Sequence, residues 1–316
     1  MSTPLAIDLA PLLAPEFLIG AGVLAAIYAI FTLGLQLNVG FTGIVNFGQA
    51  GFMAIGAYTM GILVVDGDWS FWASLPVATL VAMAAGLVIG LPSLRLRADY
   101  FAIVTLAFAE IVRYFVQNAR SLTGGNQGLL GFDGDWGSFA GDISESLDDQ
   151  ILLPLMLAGW ITFVVLALAL TGLSRTPWGR VLRAVREDED AARALGKNAF
   201  AYKLQSLAIA AALGSIAGYF LALNLSFLTP ESFEPLFTFI GYAVLVLGGL
   251  ASYWGVAVGA LILWALLEAT RFVDLPLAAE KVAALRFIIV GVVLILLMAF
   301  RPQGMLGKRQ EMVLGD

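Results

Sequence analysis

The sequence predicts an all-α, polytopic transmembrane helical bundle, and three observations predict it. Of 316 residues, 60% are hydrophobic and 13% charged, with a mean hydropathy of +0.91; a soluble domain is nearer to roughly 45–50% apolar and 25% charged. Apolar stretches of span length recur along the whole chain. Lys and Arg gather in a few connections, as they do in loops retained on the cytoplasmic side of a membrane. A soluble enzyme, a secreted scaffold and a disordered chain are all disfavoured by this composition.

A bilayer replaces the soluble core, so the helix is the unit of length, and about 20 residues per span leave room for roughly eight to ten spans. The apolar stretches fall at 17–38, 50–65, 71–91, 100–118, 151–173, 203–224, 236–250, 255–270 and 283–300. Nine spans are therefore expected, with eight and ten as the neighbouring counts. The second is short and Gly-rich, and only 251–254 separates the seventh from the eighth. The first sixteen residues hold no Lys or Arg, so the first stretch reads as a retained membrane helix and not as a signal peptide.

Orientation follows from the cations. Arg95 and Arg97 mark one connection, 175–203 carries seven cations, and Arg301, Lys308 and Arg309 mark the tail, which makes twelve of the seventeen. The segment 119–150 instead holds Asp133, Asp135, Asp142, Glu145, Asp148 and Asp149 against Arg120 alone. This acidic segment is expected outside, with the N-terminus outside and the C-terminus cytoplasmic. Six acids in a loop also describe an ordinary solvated face.

The sequence has no Cys and no His, which removes disulfides, thiolate chemistry, haem ligation through histidine and the commonest metal ligands. A formal net charge of −6 leaves no basic footprint for nucleic acid. Glycine is abundant within the spans, and Gly214 with Gly218 and Gly255 with Gly259 form GxxxG pairs, the spacing of close helix–helix contacts.

Two stretches depart from plain spans. The first, GLQLNVGFTGIVNFGQAGFMAIGAYTMG at 34–61, is too apolar for a solvent loop, yet it carries Gln36, Asn38, Asn46 and Gln49 among seven glycines. Polar backbone at membrane depth is tolerated only inside protein or beside a cavity, so a broken or re-entrant helix facing the bundle interior is expected here. Asn38, Thr42, Asn46, Gln49 and Tyr58 are the candidates for lining a solute path; the competing reading is that the amides join helices. The second, 174–203, is the longest charged segment. Pro177 suits a helix start, 187–190 suits the start of a second short helix near Ala191, and Gly196 suits its end. Val181, Leu182 and Val185 give the first of these helices an apolar side, and the pair reads as a docking surface rather than a turn.

Glu110 and Arg113 stand three apart on one face of the fourth span. Mutual neutralisation is the expectation for them, with contact to solute or a gating network as the alternative; Glu268 and Arg271 admit the same pairing. No GxxxxGK[ST] phosphate loop occurs, so any energy source lies in a partner or an ion gradient.

Five segments in order resemble the LivM-type permeases of ATP-binding-cassette importers for branched-chain amino acids, a family related to urea and other amino acid permeases. They are 34–58, RLRADYFAIVTLAFAEIVRYF at 95–115, LTGGNQGL at 122–129, GRVLRAVREDEDAARALG at 179–196 and GVVLILLMAFRPQGMLG at 291–307. The resemblance implies one permease domain over 1–316, non-catalytic, forming half of an alternating-access path in a cell inner membrane. It also implies a homologous second permease as heterodimer partner, two ATP-binding subunits that hold ATP and Mg, and an extracytoplasmic solute-binding protein docking near the 119–150 segment. This chain itself would carry no cofactor. The resemblance points to Gly179, Arg180, Arg183, Ala184, Arg186, Glu187, Asp188, Ala191, Ala192 and Gly196 as the loop that presses into the ATP-binding subunit, with arginines pairing acidic groups there. The solute class it implies is branched-chain or other neutral amino acids, with urea and amides close. The rival class is a secondary transporter driven by an ion gradient; a membrane enzyme fits poorly, because clustered intramembrane carboxylates are lacking.

Overall fold

The computed structural model describes residues 14–145 and 152–269, together with 288, 291–292, 295–296, 299–300 and 304–307. The described residues fold as an all-α bundle. Helix α1 (Pro15–Leu35) opens with proline at its first position, where the missing N–H costs nothing, and runs on into π-helical turns at Gln36–Thr42. A non-helical stretch, 43–48, leads to α2 (Gln49–Val65). Next come α3 (Phe71–Ser93) and α4 (Ala98–Asn118), then the short α5 (Arg120–Thr123) and α6 (Gly134–Glu145). The long α7 (Leu153–Arg175) leads to α8 (Pro177–Glu187) and α9 (Glu189–Ala194), and α10 (Ala199–Leu225) returns through the bundle. Helices α11 (Leu236–Gly248) and α12 (Tyr253–Ala269) form a hairpin.

Five helical stretches among the described residues are long and apolar enough to cross a membrane: Pro15–Thr42, Phe71–Ser93, Leu153–Arg175, Ala199–Leu225 and Pro230–Gly248. The nine spans expected from sequence exceed this number for local reasons. Helix α2 begins after the break and α12 after a tight turn, and each is described over 17 residues, about the length of the stretches at 50–65 and 255–270. Helix α4 is 21 residues long but carries three charges, Asp99, Glu110 and Arg113. The ninth stretch, 283–300, lies mostly outside the described residues, as do Arg271, Arg301, Lys308 and Arg309.

Helices α1 and α10 form the centre, with 72% and 83% of their apolar windows buried, against 28% for α3 and 33% for α7. The peripheral helices turn Leu80, Val88, Ile161 and Val165 outward, as a bundle solvated by lipid requires. Missing side chains let the central backbones touch. A Cβ at Gly218 would stand 2.0 Å from the Met53 carbonyl oxygen, and one at Gly259 would stand 2.3 Å from that of Val244. Both expected GxxxG pairs thus lie at helix contacts, α10 on α2 and α12 on α11.

The two ends differ in charge. The α3–α4 connection, α8–α9, the turn between α11 and α12, and residues 304–306 share one end; there the Met305 and Leu306 N–H groups donate to Leu247 and Gly248. The opposite end carries α5, α6 and the Leu129–Leu228 bridge, with Phe71, Trp72, Trp136 and Phe139 in mutual ring contact. Aromatic clusters of this kind suit a membrane–water boundary. Gly218→Ala is expected to destabilise the purified chain in detergent by about 1–3 kcal/mol through overpacking. Gly172→Ala, where a Cβ meets nothing within 4 Å, is expected to leave the unfolding temperature unchanged or raise it.

Candidate functional site

The break at 43–48 lies inside the bundle, and its polar groups find partners on four helices. Gly43 takes φ +77° and ends the π turns, while the Ile44 N–H donates back to the Asn38 carbonyl at 3.0 Å. The Phe47 N–H donates to Thr105 on α4 at 3.0 Å, and the Gly48 N–H donates to Asn46 Oδ1 at 2.8 Å. The Tyr242 hydroxyl on α11 donates to the Asn46 carbonyl at 2.9 Å. Helix α2 then starts with the Ala50 N–H donating to Thr238 at 3.1 Å. Non-helical backbone is affordable at this depth because each of these groups is satisfied by protein.

Gln49 is the hub of the break. Its Nε2 donates to the Ala210 carbonyl on α10 at 2.9 Å, and its Oε1 accepts from Asn46 Nδ2 at 3.2 Å. The amide fits because Gly34 and Gly214 flank it: a Cβ at Gly34 would stand 2.3 Å from Nε2. Lower down, the Thr42 hydroxyl donates to Ser206 Oγ at 2.7 Å, which in turn donates to Asn38 Oδ1 at 3.0 Å. Gln36 Nε2 donates to the Gly249 carbonyl at 3.2 Å. All five of Gln36, Asn38, Thr42, Asn46 and Gln49 are fully buried. Gln36 Oε1, Asn38 Nδ2 and the Tyr58 hydroxyl are buried without a hydrogen-bond partner among the described residues. Sequence reading missed Thr105, Ser206, Thr238 and Tyr242, because hydroxyl side chains are unremarkable within apolar helices.

Helices α8 and α9 sit against the foot of this break. Asp188 separates them with an extended backbone, φ −152°, and its side chain accepts from the Ala191 N–H at 2.9 Å. Gly179 is obligatory at the α7–α8 corner, since a Cβ would stand 2.2 Å from the Ser174 carbonyl. Leu182, Val185 and Ala192 are buried; Arg180, Ala184, Glu187, Asp188, Ala191 and Gly196 are exposed, with Gly196 at φ +77° ending the element. Arg183 and Arg186 are only half-exposed. Arg183 donates to the Ser174 carbonyl at 3.2 Å, and Arg186 donates to the Gly40 carbonyl while its stem packs on Gly43. These two arginines therefore tie α8 to α7 and to the π turns. Glu189 pairs with Arg193 at 2.5 Å and with Lys203 on α10.

On α4 the Glu110–Arg113 pair closes at 2.6 Å, with the guanidinium also 4.6 Å from the Tyr114 ring. A charge on a membrane helix is costly unless neutralised in this way. Among the described residues no cluster of three or more His, Cys, Asp or Glu side chains could hold a metal.

An interior helix break in a lipid-solvated bundle, braced by a two-helix foot at one end, is the arrangement expected of a membrane transport permease. The family described as the permease component of branched-chain amino acid transport systems matches residues 17–298. The chain belongs to this family. It is 37% identical to the high-affinity branched-chain amino acid transport system permease protein LivM of Escherichia coli (strain K12), over 90% of this chain and 68% of that protein. It is 28% identical to a probable LivM of Methanocaldococcus jannaschii, over 90% of this chain and 91% of that one. Its identity to the permease protein LivH of Escherichia coli (strain K12) is also 28%, over 90% and 92%. No solved structure matches the chain significantly.

Gln49→Leu removes the second hydrogen bond to the Ala210 carbonyl and leaves the Asn46 side-chain NH2 unpaired, and a stability loss of about 1–3 kcal/mol is expected from detergent unfolding curves. Tyr58→Phe removes an unpartnered buried hydroxyl and is expected to leave stability equal or higher in the same assay.

Proposed function

We propose that the chain is one of two permease subunits of an ATP-driven importer for branched-chain or other neutral amino acids. The names of its LivM relatives support the solute class, and similarity to both LivM and LivH of one organism supports a homologous second permease as its partner. Two ATP-binding subunits, holding ATP and Mg, and an extracytoplasmic binding protein complete the assembly. The chain crosses a cell inner membrane nine times with its N-terminus outside. The cationic end, with α8 and α9, is cytoplasmic.

The observation that carries this reading is the seat of α8 on the helix break. The exposed face of Arg180, Ala184, Glu187, Asp188 and Ala191 meets the ATP-binding subunit, while Arg186 on the other side grips Gly40. Closure of the ATP-binding subunits displaces α8, and Arg186 transmits the displacement to the π turns. There the unsatisfied Gln36 and Asn38 amide atoms lower the cost of leaving the present arrangement. Rearrangement of 36–48, carrying Asn38, Thr42, Asn46 and Gln49, switches the path from outward-open to inward-open, with Tyr58 further along α2. The Glu110–Arg113 pair stays neutralised throughout and keeps α4 in register.

Uptake in proteoliposomes tests the assignment. The complex with partner permease, ATP-binding subunits and binding protein is expected to import leucine or a related neutral amino acid only with ATP on the α8 side. Arg186→Ala is expected to cut uptake about tenfold or more while ATP hydrolysis persists, and Ala191→Asp to abolish both by blocking docking. Uptake by the chain alone, driven by a proton or sodium gradient, would overturn the reading.

A further inference from the structure

A cavity of about 550 Å³ opens at the cationic end, between the α3–α4 connection on one side and α9 with the start of α10 on the other. Arg95, Arg97, Arg193 and Lys203 line it, against the single carboxylate of Glu189. That carboxylate is already shared by Lys203 and Arg193. Arg95 lies over the Phe200 ring at 5.7 Å, and Arg97 stands at the uncapped start of α4. Neither guanidinium forms an ion pair among the described residues. Asp190 also pairs with Arg193 at 3.7 Å and Asp99 lies in the first turn of α4, so the excess positive charge of the cavity rests on the two exposed guanidinium groups of Arg95 and Arg97.

We propose that this cavity is a binding site for a phosphate group, supplied by the headgroup of an anionic phospholipid. Guanidinium groups match phosphate oxygens two at a time, and basic pockets at the end of a membrane bundle lie at the depth of the headgroups. The surroundings suit a lipid better than a free ion. Leu96 and Tyr100 are exposed at 47% and 59%, and they continue into the outward-facing Ile103 of α4, which gives an acyl chain an apolar track beside the cations. Gly43 and Ile44 of the helix break form part of the cavity wall. A bound headgroup therefore braces the α3–α4 connection, the break and α9 against one another. The inference depends on neither the solute nor the ATP-binding partners.

The test uses the purified full chain in mild detergent, exposed to phosphatidylglycerol, cardiolipin or phosphatidylcholine at matched concentration, with bound lipid read by native mass spectrometry. The anionic lipids are expected to be retained about tenfold over phosphatidylcholine, and Arg95→Gln with Arg97→Gln to erase the preference. Glu189→Gln removes the carboxylate that lines the cavity among the described residues and is expected to strengthen retention, a gain that misfolding does not produce. Lys197→Gln, exposed outside the cavity, is expected to change nothing. A parallel arm measures thermal stabilisation by inorganic phosphate. Stabilisation there that depends on Arg95 and Arg97, without lipid preference, keeps the phosphate site and assigns it a soluble source. No preference and no phosphate effect, or a preference indifferent to Arg95 and Arg97, would overturn the proposal.

Discussion

The constraint on which the rest depends is that the non-helical backbone of 43–48 runs inside a bundle whose surroundings are apolar. Helical spans satisfy their own N–H and C=O groups, whereas this stretch must borrow partners from its neighbours. Thr105 of α4 and Tyr242 of α11 supply them within 43–48, and Ala210 of α10 and Thr238 of α11 hold the first residues of α2 just beyond it. Each lender must stand within hydrogen-bond reach, so the positions of three helices around the break are fixed by its chemistry. The centrality of α1 and α10 follows, since they form the walls against which the break is held.

Close approach makes the borrowing geometrically feasible. Gln49 reaches the Ala210 carbonyl only because Gly34 and Gly214 leave room for its amide, and Gly56 lets α2 lie directly on Ser215 of α10. Lipid provides little drive for helices to associate, so these backbone contacts and interhelical hydrogen bonds supply the cohesion. Around Asn46 and Gln49 the break is thus dense and hydrogen-bonded to its neighbours. Its lower part is less so: the π turns leave Gln36 Oε1 and Asn38 Nδ2 buried without partners among the described residues.

Much of this was legible in the sequence, for identifiable reasons. Composition announced the lipid-solvated bundle, and amides set among glycines at 34–61 announced a break, because polar groups in hydrocarbon need an interior. Pro177, the acidic run 187–190 and Gly196 marked α8 and α9 through general rules of helix termini, although the second helix starts at Glu189, ahead of the expected Ala191. Span count was harder, since the stretches at 50–65 and 255–270 are short in the sequence and their helices, α2 and α12, are described over only 17 residues each. The direction of Arg183 and Arg186 was not legible at all. A cationic loop reads as presenting its charges outward, but these two guanidinium groups turn to main-chain carbonyls at Ser174 and Gly40. No periodicity reveals which carbonyl at a helix end is left over for such a donor.

That inward turn changes how force on α8 must be distributed. An arginine at the rim pairs with a partner through water-screened charge and transmits little, whereas one bonded to a backbone carbonyl moves the chain it grips. The grip falls on Gly40, within turns whose π geometry departs from the regular i→i−4 ladder that stiffens α1 above it. Moving the upper part of the break would sacrifice the Gln49, Thr238 and Tyr242 hydrogen bonds together. Moving the π turns disturbs fewer satisfied groups, because two amide atoms there have nothing to lose. Under the proposed coupling, a push on α8 is therefore absorbed first at 36–42 and reaches Gln49 only afterwards, so the foot of the bundle yields before its centre.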